Sequence, residues 1–272
     1  MKSWLKHFPK EIEKLGFPAP LLGDENWRLP VLASGSEWWM LFKPAGCVVA
    51  PDVRMPEFPS LTEAWDVQFR QGKPEFVQTG LSKVKSVYPL DPEIHGPVLL
   101  AGDGAVLESL RNSFGSDQFL FQFEFLATDG GVPVDDFEVD LPIQIKEDEV
   151  RVTHRHGKKS ITNFHRVKRW GKLSLWQATT RYPRLFQVRI HAWESRLRIL
   201  GETRMGRVGQ LFLSRLKKQY VSREEELPLL PGLAMRLASV QWAGNSVECP
   251  PLSPWATALK KLDEYGYPSK PR

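Results

Sequence analysis

Cysteine is nearly absent: Cys47 and Cys249 are the only two in 272 residues. Their spacing suggests neither a zinc site nor a disulfide framework, so two free thiols in a reducing, cytoplasmic setting are expected. No run of about 18 apolar residues occurs, which speaks against a membrane-spanning helix and a membrane partner. The stretch from Met1 to Gly16 carries charges throughout and lacks the apolar centre of a secretion signal. Internal repeats and low-complexity linkers are missing, as expected for one continuous unit. There is no G-x-x-x-x-G-K-[ST] loop, no dinucleotide fingerprint and no G-x-S-x-G elbow. Nucleotide hydrolysis and serine-hydrolase chemistry therefore have no support. His154 and His156 lack a third ligand at convincing spacing, so no metal is expected at that pair.

What is present is ordinary for a folded domain with a basic bias. Apolar residues make up 42%, including 15 Phe and 10 Trp, enough for a sizeable core. Lys and Arg number 37 against 32 Asp and Glu, a net charge of +5. That balance permits a nucleic-acid partner without requiring one.

Residues 1–30 mix basic residues with Pro9, Pro18, Pro20 and Pro30. They read as an extension with a short helix near Lys10–Leu15, ahead of a domain over residues 31–272. Glu37–Lys43 reads as a buried strand stopped by the turn Lys43-Pro44-Ala45-Gly46. Ser60-Leu61-Thr62-Glu63 is a capping box, with Glu63 reaching back. It opens a helix to about Arg70 that has Leu61, Trp65 and Gln68 on one face. Pro97–Gly102 reads as a strand, after which Asp103 can cap a helix with Leu107, Leu110 and Phe114 inward. Phe119, Phe121, Phe123 and Phe125 alternate strictly, the mark of a strand with one aromatic face buried. Residues 161–169 and 173–181 read as further strands, and Gln187–Leu197 as a helix. Strands and helices that do not alternate regularly indicate an α+β fold with a mixed, mostly antiparallel sheet.

Four blocks carry a resemblance. Lys43-Pro44-Ala45-Gly46 resembles an N-K-P-[AS]-G turn. Leu90-Asp91 with Gly96 resembles H-R-L-D-x-x-T-S-G. Lys158-Lys159-Ser160-Ile161-Thr162-Asn163-Phe164 resembles a K-x-A-x-T-x-[YF] strand. Gln187-Val188-Arg189-Ile190-His191, followed by Leu200-Gly201-Glu202, resembles G-R-x-H-Q-[ILV]-R-x-H and a downstream [IV]-x-G-D. Their order and spacing across residues 34–206 are those of the RluA-type RNA pseudouridine synthases, of which this chain resembles a divergent member.

The resemblance implies a central mixed, mostly antiparallel sheet in two halves, flanked by helices, with an active-site cleft between the halves. It implies isomerisation of uridine to pseudouridine in tRNA or rRNA, with no metal or cofactor, by a cytoplasmic monomer. Asp91 matches the catalytic carboxylate and Arg189 its partner. A buried aspartate would be neutralised by desolvation unless a permanent cation stood beside it. Apart from the motif, an Asp between Leu and Pro reads more readily as a turn residue or a cap, and Arg189 as part of a solvated helix face.

Phe123 matches the position of an active-site tyrosine. Phenylalanine keeps the stacking face and loses the hydroxyl, and a plain core residue is the other reading. Lys43 matches a basic residue near the cleft floor, or is a strand-end lysine in solvent. Arg184, Gln187, His191 and Lys158 complete the expected substrate-binding set.

Several positions depart from the pattern. Tyr88-Pro89 stands for His-Arg, and Ile94-His95 for Thr-Ser. Tyr182-Pro183-Arg184-Leu185-Phe186 replaces the usual T-G-R-[ST]-H, Glu202 replaces an aspartate, and Met205 replaces a tyrosine. The missing arginine is the residue that takes the place of the flipped base. These changes allow an unpaired RNA that needs less help in flipping, or a scaffold that binds RNA without catalysis.

Residues 151–172 gather Arg151, Arg155, Lys158, Lys159, Arg166, Lys168, Arg169 and Lys172 around Phe164 and Trp170. A basic strand pair with interleaved aromatics suits phosphates and unstacked bases, and equally suits a charged sheet edge. A protein-interaction module with an incidental basic surface is the reading from a third class.

Overall fold

In the computed structural model, residues 12–146, 149–217, 219–221 and 225–268 are described. Two antiparallel sheets carry the chain. The first holds β1 (Lys14–Phe17), β2 (Trp27–Ser34), β3 (Trp38–Lys43), β4 (Lys85–Ser86) and β5 (Gly96–Ala101), in the order β1-β2-β3-β5-β4. The second holds β6 (Phe119–Asp129), β7 (Asp136–Asp140), β10 (Ile161–Trp170), β11 (Leu173–Thr180), β13 (Met235–Trp242) and β14 (Asn245–Glu248), with β12 (Leu197–Ile199) paired to β6. A separate hairpin is formed by β8 (Ile143–Lys146) and β9 (Glu149–Val152). The helices are α1 (Leu61–Arg70), α2 (Pro74–Val77), α3 (Ala105–Gly115), α4 (Gln187–Glu194), α5 (Leu213–Leu216) and α6 (Ser253–Tyr265).

The phenylalanine alternation forms β6 as expected. Phe119, Phe121, Phe123 and Phe125 are all buried, while the residues between them are half-buried. The α1 helix also follows its sequence. Ser60 caps it by accepting from the Glu63 N–H at 3.4 Å, and Leu61, Ala64, Trp65 and Gln68 face inward.

Three local expectations are corrected. Lys14–Phe17 is a strand rather than the end of a helix, because Leu15 and Phe17 alternate into the core against β2. Lys10 and Glu11 lie outside the described residues. The N-cap of α3 is Gly104 at φ 141°, while Asp103 turns outward to pair with Lys85 at 2.9 Å. The α4 helix ends at Glu194, because Arg196 adopts φ 65° and Leu197 begins pairing with Asp129 in β6.

The two sheets meet where β5 runs beside β13. Leu237 donates its N–H to the His95 carbonyl at 3.0 Å, and His95 bridges Arg236 in parallel. Gly96 makes this approach possible: at φ 153°, a Cβ there would stand 2.6 Å from both the Cβ and the carbonyl oxygen of Leu237. No side chain fits without moving the strands apart. Gly96→Ala should therefore lower unfolding stability by about 1–3 kcal/mol, the usual cost of overpacking. Urea denaturation checks this, and an unchanged midpoint would show that the seam is loose.

Candidate active site

The seam between the sheets also places Asp91. Ahead of it, Tyr88 is anchored by donating its hydroxyl to the Pro97 carbonyl at 3.0 Å and by an edge contact with Phe121 at 4.7 Å. Behind it, the Pro92 carbonyl accepts from Gly46 N–H at 2.9 Å and from Lys43 Nζ at 3.2 Å. Lys43 also donates to the carbonyls of Pro44 and Cys47, each at 2.8 Å. The ammonium is fully buried, and burial pulls its pKa down. The solvent-exposed reading of Lys43 does not hold: it is a buried stitch between the turn after β3 and the Asp91 loop, with its donors turned inward and its charge close to Asp91.

Opposite Asp91 stands the start of α4. Phe186 precedes the helix in a left-handed conformation, φ 63°, and its N–H donates to Asp91 Oδ1 at 2.8 Å. Arg189, 1% exposed, lies one turn further in. Its Nη1 is 3.5 Å from Asp91 Oδ2 and 2.9 Å from Glu93 Oε2. Its Nε and Nη2 grip Glu202 at 2.8 and 2.6 Å. Residues 91 and 189, remote in sequence, therefore meet as a buried pair. The tightest partner of Arg189 is nevertheless Glu202, and Glu93 ranks ahead of Asp91.

These neighbours set the charges. Burial pushes the Asp91 carboxyl up to about 6; Arg189 pulls it down, Glu93 pushes it up, and the Phe186 N–H pulls it down. Burial also opposes the charge on Glu202. There the Arg189 hydrogen bonds and charge, with the Arg204 and Met205 N–H groups, prevail and hold the carboxyl below its ordinary value. Burial works against the Arg189 cation too, and its acidic neighbours more than offset this, raising its pKa.

The other expected residues divide into two groups. Gln187 and His191 are buried parts of the frame. The Gln187 side chain accepts from Arg184 N–H and donates toward Ile161 O and the hydroxyls of Thr162 and Thr180, all within 3.0–3.2 Å. His191 lies between Thr162 Oγ1 and the Leu141 carbonyl, each at 2.9 Å, and burial lowers its pKa. Both His191 ring nitrogens are thus engaged within the frame, while Gln187 also borders the crevice beside Asp91.

Phe123 lines a crevice with Asp91, Ile94, Pro89, Leu90, Pro183, Arg184, Gln187, Val188 and Met235. The crevice offers only about 10 Å³, roughly the room for one water. It adjoins an open groove of about 620 Å³ whose walls include Arg111, His156, Lys158 and Arg184, with Arg54 paired there to Asp52. A second groove, about 760 Å³, carries Lys159, Arg181 and Arg184 together with Asp117 and Glu138. Among the described residues, Arg184 alone borders all three spaces, and its guanidinium lies over the Tyr182 ring at 4.9 Å.

The basic strands 151–172 contribute less than their composition suggests. Phe164 and Trp170 are buried and unavailable to bases. Arg166 pairs with Asp135 and Asp129, Lys168 with Asp263, and His165 with Asp136. Of this set, Lys158, Lys159 and His156 face the grooves.

Sequence reasoning missed Glu93 and the Phe186 N–H. Glu93 occupies a variable place in its motif, and the N–H is set by a left-handed residue that no pattern announces. Glu202 was noted only as a departure from aspartate.

A sheet split in two, with an aspartate and an arginine buried at the junction beside open basic grooves, defines an α+β cleft protein. No family model matches the sequence, and no curated protein matches it significantly. Solved structures do. Human RNA pseudouridylate synthase domain containing 4 superposes with a TM-score of 0.64 at 15% identity, over 86% of this chain and 92% of that one. Human RNA pseudouridylate synthase domain containing 1 gives 0.54 at 12% identity, over 88% and 96%. The chain thus has the pseudouridine synthase fold.

Two stability predictions follow from the ion cluster. Arg189→Met removes the cation from three carboxylates and should cost about 3–5 kcal/mol, the range for breaking a buried pair; a loss under 1 kcal/mol by urea denaturation would contradict the geometry. Asp91 should make stability pH-dependent. Its carboxyl titrates near 6 when folded and near 3.8 in isolation. The folded state therefore holds a proton that the unfolded state has released, and this contribution, full below pH 4, is lost as pH rises through 6. It amounts to about 3 kcal/mol. The stability of Asp91→Asn minus that of the wild type should rise by about 2.4 kcal/mol from pH 4 to 7. A flat difference would disprove the raised carboxyl.

Proposed function

We propose that this chain is an RNA pseudouridine synthase of the RluA type, converting uridine to pseudouridine in tRNA or rRNA as a cytoplasmic monomer. The observation that carries this reading is the buried Asp91 carboxylate, fixed by the Phe186 N–H and the Arg189 guanidinium where a narrow crevice meets two basic grooves. The fold shared with the two human synthase-domain proteins supports it.

The reaction breaks the N1–C1′ bond, turns the uracil and joins C5 to C1′. The C5 hydrogen leaves as a proton, and N1 gains one, so no atom or electron is supplied from outside. Asp91 is the one carboxylate lining the crevice among the described residues. Phe123 gives the base a stacking face but no hydroxyl, so proton movement falls to Asp91 or to water it holds. A carboxyl titrating near 6 is mostly ionised at neutral pH and more basic than an ordinary aspartate, which suits that work. Arg184 stands where the RNA backbone would pass from one groove to the other, with Lys158 and Lys159 on either side.

A second reading is kept by one specific feature. The crevice volume of about 10 Å³ is far below that of a uracil ring, so the Pro89–Leu90 and Pro183–Arg184 walls must part to admit the base. If they do not, the chain is an RNA-binding protein on the same scaffold. Incubation with unmodified tRNA and rRNA transcripts separates the readings. Wild type should form pseudouridine, and Asp91→Asn should form none while binding RNA normally. Binding without isomerisation on any transcript would leave only the second reading. In either case Lys158→Glu with Arg184→Glu should weaken RNA binding at least tenfold and flatten its salt dependence.

A further inference from the structure

Arg189 Nη1 serves two carboxylates at once: Glu93 Oε2 at 2.9 Å and Asp91 Oδ2 at 3.5 Å. The nearer is not the proposed catalytic group. The guanidinium has no freedom to favour Asp91, because Glu202 holds its other face through Nε and Nη2. Glu202 is itself fixed by the N–H groups of Thr203, Arg204 and Met205 at 2.7–3.3 Å. Arg189 is thus immobile, and its remaining nitrogen is divided unequally. The Glu93 side chain is 24% exposed, against 7% for Asp91, and does not line the crevice. It borders a different opening, with Glu149, Val150, Thr203 and Arg204, and its Oε1 lies 3.8 Å from Arg204 Nε.

We propose that Glu93 is a positioning residue for the isomerisation: it shares the fixed Arg189 Nη1 with Asp91 and so keeps the catalytic carboxylate from forming a full ion pair. This inference rests on the function proposed above. A carboxylate clamped by an undivided guanidinium is a poor base and a poor nucleophile. One with no cation stays protonated in a dry crevice. Glu93 sets the balance between the two without touching the substrate. The charged and titratable groups around Asp91 are Arg189 and Glu202 on one side, Lys43 and Cys47 behind the loop, Arg184 at the crevice mouth, and Glu93 with Arg204 beyond Arg189. Of the two carboxylates that compete with Asp91 for Arg189, Glu93 is the one on the shared nitrogen.

The test uses Glu93→Gln, which keeps size and polarity and removes the charge. Asp91 is followed in the RNA-free protein by ¹³C carboxyl NMR, with Asp91→Asn identifying its signal. Its titration midpoint should fall by about one pH unit, the lower end for loss of a nearby like charge. The acid limb of the single-turnover rate of pseudouridine formation should fall by the same amount, with a several-fold lower plateau. Glu93→Asp, which keeps the charge, should return the midpoint toward the wild-type value. An unmoved NMR midpoint in both Glu93→Gln and Glu93→Ala overturns the proposal. A shifted midpoint supports the positioning whatever the rate assay yields. Absence of pseudouridine from wild type overturns the isomerase reading alone.

Discussion

A guanidinium sealed from water must be neutralised where it lies, and most of this cleft is arranged around that demand on Arg189. Its charge is met by Glu202, Glu93 and Asp91, which come from two separate stretches of chain, one on each side of the cleft. Glu202 follows β12, whose pairing to β6 fixes it to the second sheet. Asp91 and Glu93 lie just before β5 in the first sheet, and α4 carries Arg189 between them. The cluster therefore links the two sheets electrostatically, while the His95–Leu237 hydrogen bond links them through the backbone. Three acids around one buried arginine are an excess of negative charge. The excess falls on Asp91, the most distant of the three from the guanidinium.

The parts of the fold that were legible in the sequence are those with a local period. The Phe119–Phe125 alternation wrote β6 directly, and the Ser60 cap wrote the start of α1. The Lys14–Phe17 strand was not legible as one. Four residues with a two-residue period give little signal, and the partner that decides the matter is β2. Asp103 likewise looked like a cap on local grounds, but Lys85 across the sheet offered it a competing charge. In each case a contact distant in sequence overrode a local preference.

The candidate site shows the same division. Asp91 and Arg189 were found because motif blocks fix their residue types. Lys43, Gln187 and His191 also stand in those blocks, and each side chain satisfies buried backbone or hydroxyl groups, with Gln187 bordering the crevice as well. A motif records that a residue type is needed and is silent on whether it faces the ligand or the scaffold. The Phe186 N–H is a backbone donor and leaves no trace in side-chain identity. Composition misled about residues 151–172 for a related reason. Counting cations there overlooks Asp129, Asp135, Asp136 and Asp263, which lie elsewhere in the sequence and neutralise several of them.

Departures from the motif at Pro89, Ile94, Phe123 and Pro183 line the crevice, whereas Asp91, Arg184, Arg189 and an acid at 202 keep the motif's charges. Exchanging Asp for Glu at 202 lengthens the side chain by one methylene and still yields a two-point grip on Arg189. Selection for a stable scaffold alone would not need Asp91, since a buried acid titrating near 6 destabilises the fold at neutral pH. An apolar residue in its place would pack without that penalty. Under the proposed function, the stability given up to hold Asp91 charged has its reason in the base that enters the crevice.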